Sequence, residues 1–379
     1  MKINQSILQQ GTWQTMAQTP GFAPQRAQLV LAFGERILLE EPGLYNVLRQ
    51  QYPVADIIIN STSGEICHTS VYDESVVVTA LELEKTTVRV RQIGIDQHTE
   101  SYQAGEQLAR ALNADDLAAI FLISDGGRVN GSDLTAGLNG QLGRHVPISG
   151  GLAGDAARFE RTLVGLNQEP AVGKIVGVGF YGNSLRVGHG SMGGWDVFGP
   201  EREVTRSEYT TLYQLDDKQA LDLYKEYLGK HAAGLPATAL LFPLSMRATP
   251  DAQPLVRTIL TIDEADKSMT FAGEMPARAL VRFMTANIDR LIDASATAVH
   301  TSVGQLGFTP ELAILISCVG RKLVLGQRAE EEVEVARDIL GDSPVVTGFY
   351  SYGEISPLEP GAPCQLHNQT MTVTVLSEQ

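Results

Sequence analysis

The sequence predicts an α/β protein of two related halves, each a mixed β-sheet with βαβ units and antiparallel hairpins, flanked by helices. Three observations carry that prediction. The apolar run Leu312–Cys318, a helical segment at 327–341 and a second apolar run opening at Pro344 alternate as a βαβ unit does. The pattern recurs: Asp56–Asn60 feeds Ser61-Thr-Ser-Gly-Glu-Ile66, and the strand near the C-terminus feeds Tyr350-Ser-Tyr-Gly-Glu-Ile355. Likewise Leu117–Ser124, a helix and Val146–Asp155 parallel the segment from Leu312 to Glu354. Finally, 75–84, 86–91, 255–263 and 268–273 show the composition of antiparallel strands with one wet face.

In chain order, residues 1–24 read as a polar lead-in, 28–33 as a buried strand, and 43–52 as a helix stopped by Pro53. Strands follow at 56–60, 75–84 and 86–91, the last two as partners. A helix at 104–112 leads into a central strand at 117–124. Ser132 is expected to cap a helix carrying Leu134, Leu138 and Leu142 at fourfold spacing. A turn is expected at 150–155, and 174–181 with 185–187 reads as a hairpin across Gly182-Asn183. Asp216 with Gln219 resembles a capping pair for a helix over 217–228, closed by Gly229. The boundary between halves is placed there: 25–216 and 217–379. An amphipathic helix over 286–298 and a closing strand over 370–376 complete the second half. In the crossover helix, Val333, Ala336, Ile339 and Leu340 share one face and Gly341 is the stop.

Composition narrows the function. Of 379 residues, 43% are hydrophobic and 19% charged, as in a globular protein with full cores. The net charge of −15 argues against nucleic-acid backbones and anionic membranes as partners. No apolar run approaches a membrane span and no signal peptide opens the chain, so the cytoplasm is the expected location. Three cysteines form no disulfide framework.

The chemistry-bearing residues cluster where strands end, because in open α/β sheets ligands sit at the strands' C-terminal ends. Arg321, Tyr350, Tyr352 and Glu354 share one rim if the 312 and 344 strands are neighbours. An arginine fork, two phenols and a carboxylate suit a zwitterion, with guanidinium to carboxylate and Glu354 to ammonium. The alternative is an internal Arg321–Glu354 ion pair. Cys318, His367 and Asn368 join this candidate ligand set. Ser63, Gly64 and Glu65, with Gly150, Gly151, Gly154 and Asp155, form the corresponding turns of the first half.

Other motifs rank lower. Gly177-x-Gly-x-x-Gly182 and Gly188-x-Gly-x-x-Gly193 open no helix, so neither suits a pyrophosphate, and no phosphate-binding P-loop occurs. Ser149 with His189 or His367 could pair as nucleophile and base, but a tight turn explains Ser149-Gly-Gly more simply. Cys364-x-x-His367 with Cys318 or Cys67-His68 lacks the two local pairs of a zinc site, so no metal is expected. His189 and His367 are the imidazoles that could ligate haem iron.

Taken together, these stretches resemble the FIST family, with its N-terminal and C-terminal domains in tandem. The resemblance rests on Ser61–Ile66, Ser149–Asp155, Trp195–Pro200, Val204-Thr205 and Tyr213–Gly229. It continues in Phe242-Pro-Leu244, Val256-Arg257, Cys318–Lys322, Gly348–Glu354 and Leu366–Thr370, in the same order along the chain. It implies a sensory protein that binds a small ligand such as an amino acid. The signal would pass to a separate partner such as a histidine kinase or a diguanylate cyclase. Some stand-alone members, often called NosP, bind haem b and sense nitric oxide. That makes haem b the runner-up cofactor, with His367 or His189 as its ligand. A small-molecule enzyme using Glu354 or Cys318 ranks third, since no catalytic motif supports it.

Overall fold

A computed structural model describes residues 1–95, 100–142, 146–307 and 309–379. Its centre is built from one connectivity used three times. In each unit two parallel strands are joined by a helical crossover: Leu29–Glu35 with Asp56–Thr62, Leu117–Ser124 with Ile148–Leu152, and Leu312–Cys318 with Val345–Ser351. The crossovers are Leu44–Gln51 with the short Arg36–Glu40, then Gly131–Leu142, then Val319–Leu325 followed by Ala329–Leu340. These strands are near-continuous apolar runs because both of their faces are covered. An antiparallel strand flanks each pair: Ser75–Glu82, Lys174–Tyr181 and Met371–Glu378. Beyond it lies Lys2–Gln9, Thr87–Gly94 or Leu185–Met192.

On the other side, each sheet is completed by a strand from a different unit. Glu65–Cys67 leaves the first unit to pair with Val345–Ser351 of the third. Gly353–Pro357 leaves the third for Ile148–Leu152 of the second, and Val164–Leu166 leaves the second for Asp56–Thr62 of the first. The exchange is cyclic, and it yields three six-stranded mixed sheets.

One face of every sheet points at a shared core, where Phe33, Phe121, Ile123, Ile314, Ile316 and Phe349 meet. The Phe33 and Phe349 rings lie 4.9 Å apart and join the first and third sheets. Helices cover the outer faces, with Leu48 on Ile57, Leu108 and Leu138 on Ile120 and Leu122, and Val333 and Ala336 on Leu315 and Val346. Each Leu, Ile or Val among them contributes about 1.5–3 kcal/mol when fully buried. Residues 196–285 are inserted between the strand Leu185–Met192 and the helix Ile288–Gly304. They form their own antiparallel sheet over a separate core that includes Leu215, Tyr224, Met269 and Phe283.

The α/β class, the mixed sheets and the βαβ unit at 312–351 stand as expected. Several local expectations do not. The opening residues form the strands Lys2–Gln9 and Thr12–Gln18, because Ile3 and Ile7 alternate onto buried surface. Ser75–Glu82 and Thr87–Gly94 do not pair with each other but join different sheets. The segments 174–181 and 185–192 form no hairpin, since the chain crosses from one sheet to another at 182–184. Gly150 and Gly151 lie inside a strand, not a turn. A Cβ at Gly150 would sit 1.8 Å from the Leu122 carbonyl oxygen, so glycine permits close contact between neighbouring strands there. Asn130, not Ser132, caps the helix Gly131–Leu142, accepting from the Asp133 N–H at 3.0 Å. Asp216 caps no helix: it holds Arg202 and the Glu203 N–H, and the helix begins at Ala220.

Candidate functional site

The three crossover units aim their C-terminal strand ends at one another. Ser63 donates its N–H to the Tyr350 carbonyl, Tyr352 to Leu152, and Gly154 to Ser61. Strand register aligns the turns: Thr62, Leu152 and Ser351 each stand opposite the last residue of the neighbouring parallel strand. Two residues further on stand Gly64, Gly154 and Gly353, and after them Glu65, Asp155 and Glu354, all three acids fully buried. A side chain at Gly154 would lie 2.3 Å from Ser63 Oγ, so the convergence leaves no room for a Cβ there.

The three acids have different partners. Glu65 accepts from the hydroxyls of Thr62 and Ser75, and Glu354 accepts from Ser351 at 2.6 Å and from the Thr370 hydroxyl at 2.8 Å. Burial pushes Glu65 up to about 8 and Glu354 up to about 7, against the opposing pull of those hydroxyls. Burial acts the same way on Asp155, but hydrogen bonds from Arg36 and Arg158 outweigh it and hold the group below its ordinary value.

The expected C-terminal ligand set is taken apart by the fold. Arg321 is fully buried rather than on a rim, and its ion-pair partner is Glu332, not Glu354. Nε and Nη2 donate to Glu332 Oε2 at 3.1 and 2.8 Å, Nη1 to the Gly193 and Gln369 carbonyls, and Nη2 also to the Leu291 carbonyl. All its donors are taken, so it has no fork to offer a ligand. The Tyr350 hydroxyl donates to Glu332 Oε1 at 2.8 Å inside the same knot. Cys318 is buried and its thiol is pushed far up, so it stays protonated and is no nucleophile. His367 donates Nε2–H to the Ser356 carbonyl at 2.9 Å, and burial pushes it down to about 4. The Asn368 and Gln369 amides are buried without hydrogen-bond partners among the described residues.

Of that set, Tyr352 lines a cavity. Its volume is about 380 Å³, and it lies beyond the C-terminal ends of Leu117–Ser124 and Ile148–Leu152, the end of the strands at which α/β sheets bind ligands. One wall is the loop Gly126-Gly-Arg-Val-Asn-Gly131. Asp125 shapes that loop, accepting from the Gly127 and Arg128 N–H groups at 2.7 and 2.8 Å. A second wall is the Phe159–Tyr352 pair, stacked at 4.7 Å with the Tyr352 hydroxyl accepting from the Phe159 N–H. Arg128, Glu160, Arg161 and Thr162 supply polar groups, and Thr210, Leu260, Phe271 and Ala272 of the insert close the far side. Sequence reading missed Phe159, Arg128 and Arg161. The run Asp125-Gly-Gly after a predicted central strand was the available signal.

Haem does not fit the two candidate imidazoles. His367 is enclosed and already bonded, and His189 is 6% exposed on a strand packed beneath the helix Ile288–Gly304. Neither lines the cavity beside Tyr352. Among the described residues, no group of three or more His, Cys, Asp and Glu side chains is arranged to hold a metal, and the three cysteines are free and buried. Among the described residues, no helix is long and apolar enough to cross a membrane.

Comparison with known families gives two matches in tandem: the FIST N domain over residues 28–218 and the FIST C domain over residues 220–357. No curated protein matches the chain.

Proposed function

We propose that this chain, which belongs to the FIST family, is a sensor that takes a small ligand into the cavity beside Tyr352 and passes its occupancy to a signalling partner. FIST domains are associated with small-ligand sensing in signalling proteins. The observation that carries the reading is the composition of the cavity wall. The glycine loop and Tyr352 belong to the three-sheet centre, while Leu260 and Phe271 belong to the insert. A ligand held between the two favours one arrangement of insert and centre over others, and that preference is what a sensor transmits.

The lining suits an amino acid or a similar carboxylated metabolite. The Phe159–Tyr352 stack is a flat apolar surface, Arg128 offers a guanidinium for a carboxylate, and Glu160 stands on the same wall for an ammonium. A histidine kinase or a diguanylate cyclase is the partner class that a sensor of this family would address.

The test is a thermal-shift screen of amino acids and keto acids on the full chain, followed by calorimetric titration of each hit. Tyr352→Ala should weaken a true ligand about tenfold, the scale of one lost aromatic contact with its hydrogen bond. A screen without a hit, or a hit bound equally by Tyr352→Ala, defeats the assignment to this cavity. Turnover of the bound compound would make the protein an enzyme.

A further inference from the structure

We propose that a second cavity, between the helix Gly131–Leu142 and the insert, binds a small monocarboxylate, with its carboxylate on Arg257 and its alkyl part against Met246, Leu255 and Leu366. This cavity has a volume of about 280 Å³, and its described lining shares no residue with Tyr352's wall.

Arg257 is the reason. It is 4% exposed, yet no carboxylate among the described residues forms an ion pair with it. Nε donates to the Glu274 carbonyl at 3.2 Å and Nη1 to the Val256 and Leu366 carbonyls at 3.3 Å, all long bonds to neutral acceptors. Nη2 takes part in none of them. Gly273 lies flat against the guanidinium, where a Cβ would come within 3.0 Å of Nε, so the backbone is shaped to admit this side chain. The Glu274 carboxylate acts on the guanidinium only at longer range, without bonding to it, and a buried charge so weakly compensated is costly unless something closer neutralises it. Burial pushes Arg257 down to about 10, which leaves it cationic at neutral pH and in need of an anion.

A second group in the same wall points the same way. Ser132 lines the cavity, and its hydroxyl is buried with no hydrogen-bond partner among the described residues. It is the donor that a carboxylate's second oxygen would use. Its neighbours are already committed, Asn139 to Cys364 and Thr135 to its own helix.

The chemical class follows from charge and lining. One guanidinium balances one negative charge, and Glu274 on the same cavity disfavours a dianion such as phosphate. The remaining wall is largely apolar, so the charge is carried on a short alkyl chain.

The experiment is titration of sodium butyrate into the full chain, read by saturation-transfer NMR and calorimetry, with sodium phosphate as comparison. Butyrate should bind the wild type. Arg257→Gln should weaken it about tenfold or more, as expected for losing a charge-assisted contact in a desolvated site, and Ser132→Ala by about threefold. Tyr352→Ala should leave butyrate affinity unchanged, which separates this site from the sensor cavity whatever the fate of that reading. Failure of butyrate to bind, binding of phosphate in its place, or equal binding by Arg257→Gln overturns the proposal. If Arg257→Gln does not fold, Ala136→Leu decides, because it narrows the cavity without touching the guanidinium. Retained affinity in that variant overturns the proposal and lost affinity supports it.

Discussion

Arg321 and Arg257 are buried to nearly the same depth, one in the three-sheet centre and one where the insert meets it. Arg321 lies against Glu332, with Tyr350, Ser295 and three backbone carbonyls completing the knot. Arg257 meets backbone carbonyls alone and opens on a cavity. Arginine at a strand end therefore says little about ligand binding. What distinguishes the two regions is whether the protein supplies the counter-charge, and only the second region leaves that to something else.

The largest effect should come from breaking the knot. Arg321→Gln removes the only ion pair of Glu332 among the described residues and should cost about 3–5 kcal/mol of unfolding free energy, measured by chemical denaturation. A loss below about 1 kcal/mol would mean the knot contributes little beyond its packing.

The next effect is in pH. Glu354 has its folded value raised by burial, from 4.5 to about 7, and the Arg321 charge pulls weakly the other way. The folded state therefore holds a proton that the unfolded chain releases above about pH 4.5. This contribution to stability is fully present below pH 4.5 and is lost as pH rises to about 7. The loss amounts to about 3 kcal/mol at a slope of about 1.4 kcal/mol per pH unit. Glu354→Gln should flatten that part of the stability profile. An unchanged slope would show that Glu354 titrates normally.

A smaller effect sharpens the contrast between a pair and its separate charges. Arg321→Met with Glu332→Met should be less damaging than the sum of the single changes, with a coupling of about 0.5–3 kcal/mol, because neither charge is left behind alone. Additive losses would deny the pairing. The smallest effect is expected at Arg257. In buffer without carboxylates, Arg257→Gln should change stability by less than about 1 kcal/mol, and towards greater stability, since it removes a buried charge that no carboxylate among the described residues pairs directly. A loss as large as that of Arg321→Gln would place both arginines in the same structural class.

The amino-acid pattern alone determined the α/β class, the βαβ unit at 312–351 and the glycine–acid pairs at 64–65, 154–155 and 353–354. These depend on local periodicity and on backbone demands that each segment carries with it. The order of the family stretches was likewise legible. What the tertiary structure decided was pairing. Glu65–Cys67, Gly353–Pro357 and Val164–Leu166 each complete another unit's sheet, and backbone hydrogen bonds between distant strands leave no mark in the residues that make them. For the same reason two repeats were visible in the sequence while three units exist in space. The second unit replaces the Ser-Gly-Glu pattern with Ala-Gly-Asp. The partner of Arg321 was hidden on the crossover helix at Glu332, and the missing partner of Arg257 could not be read at all. A side chain's charge is written in the chain, but its neutralisation depends on which distant groups folding brings within a few ångströms.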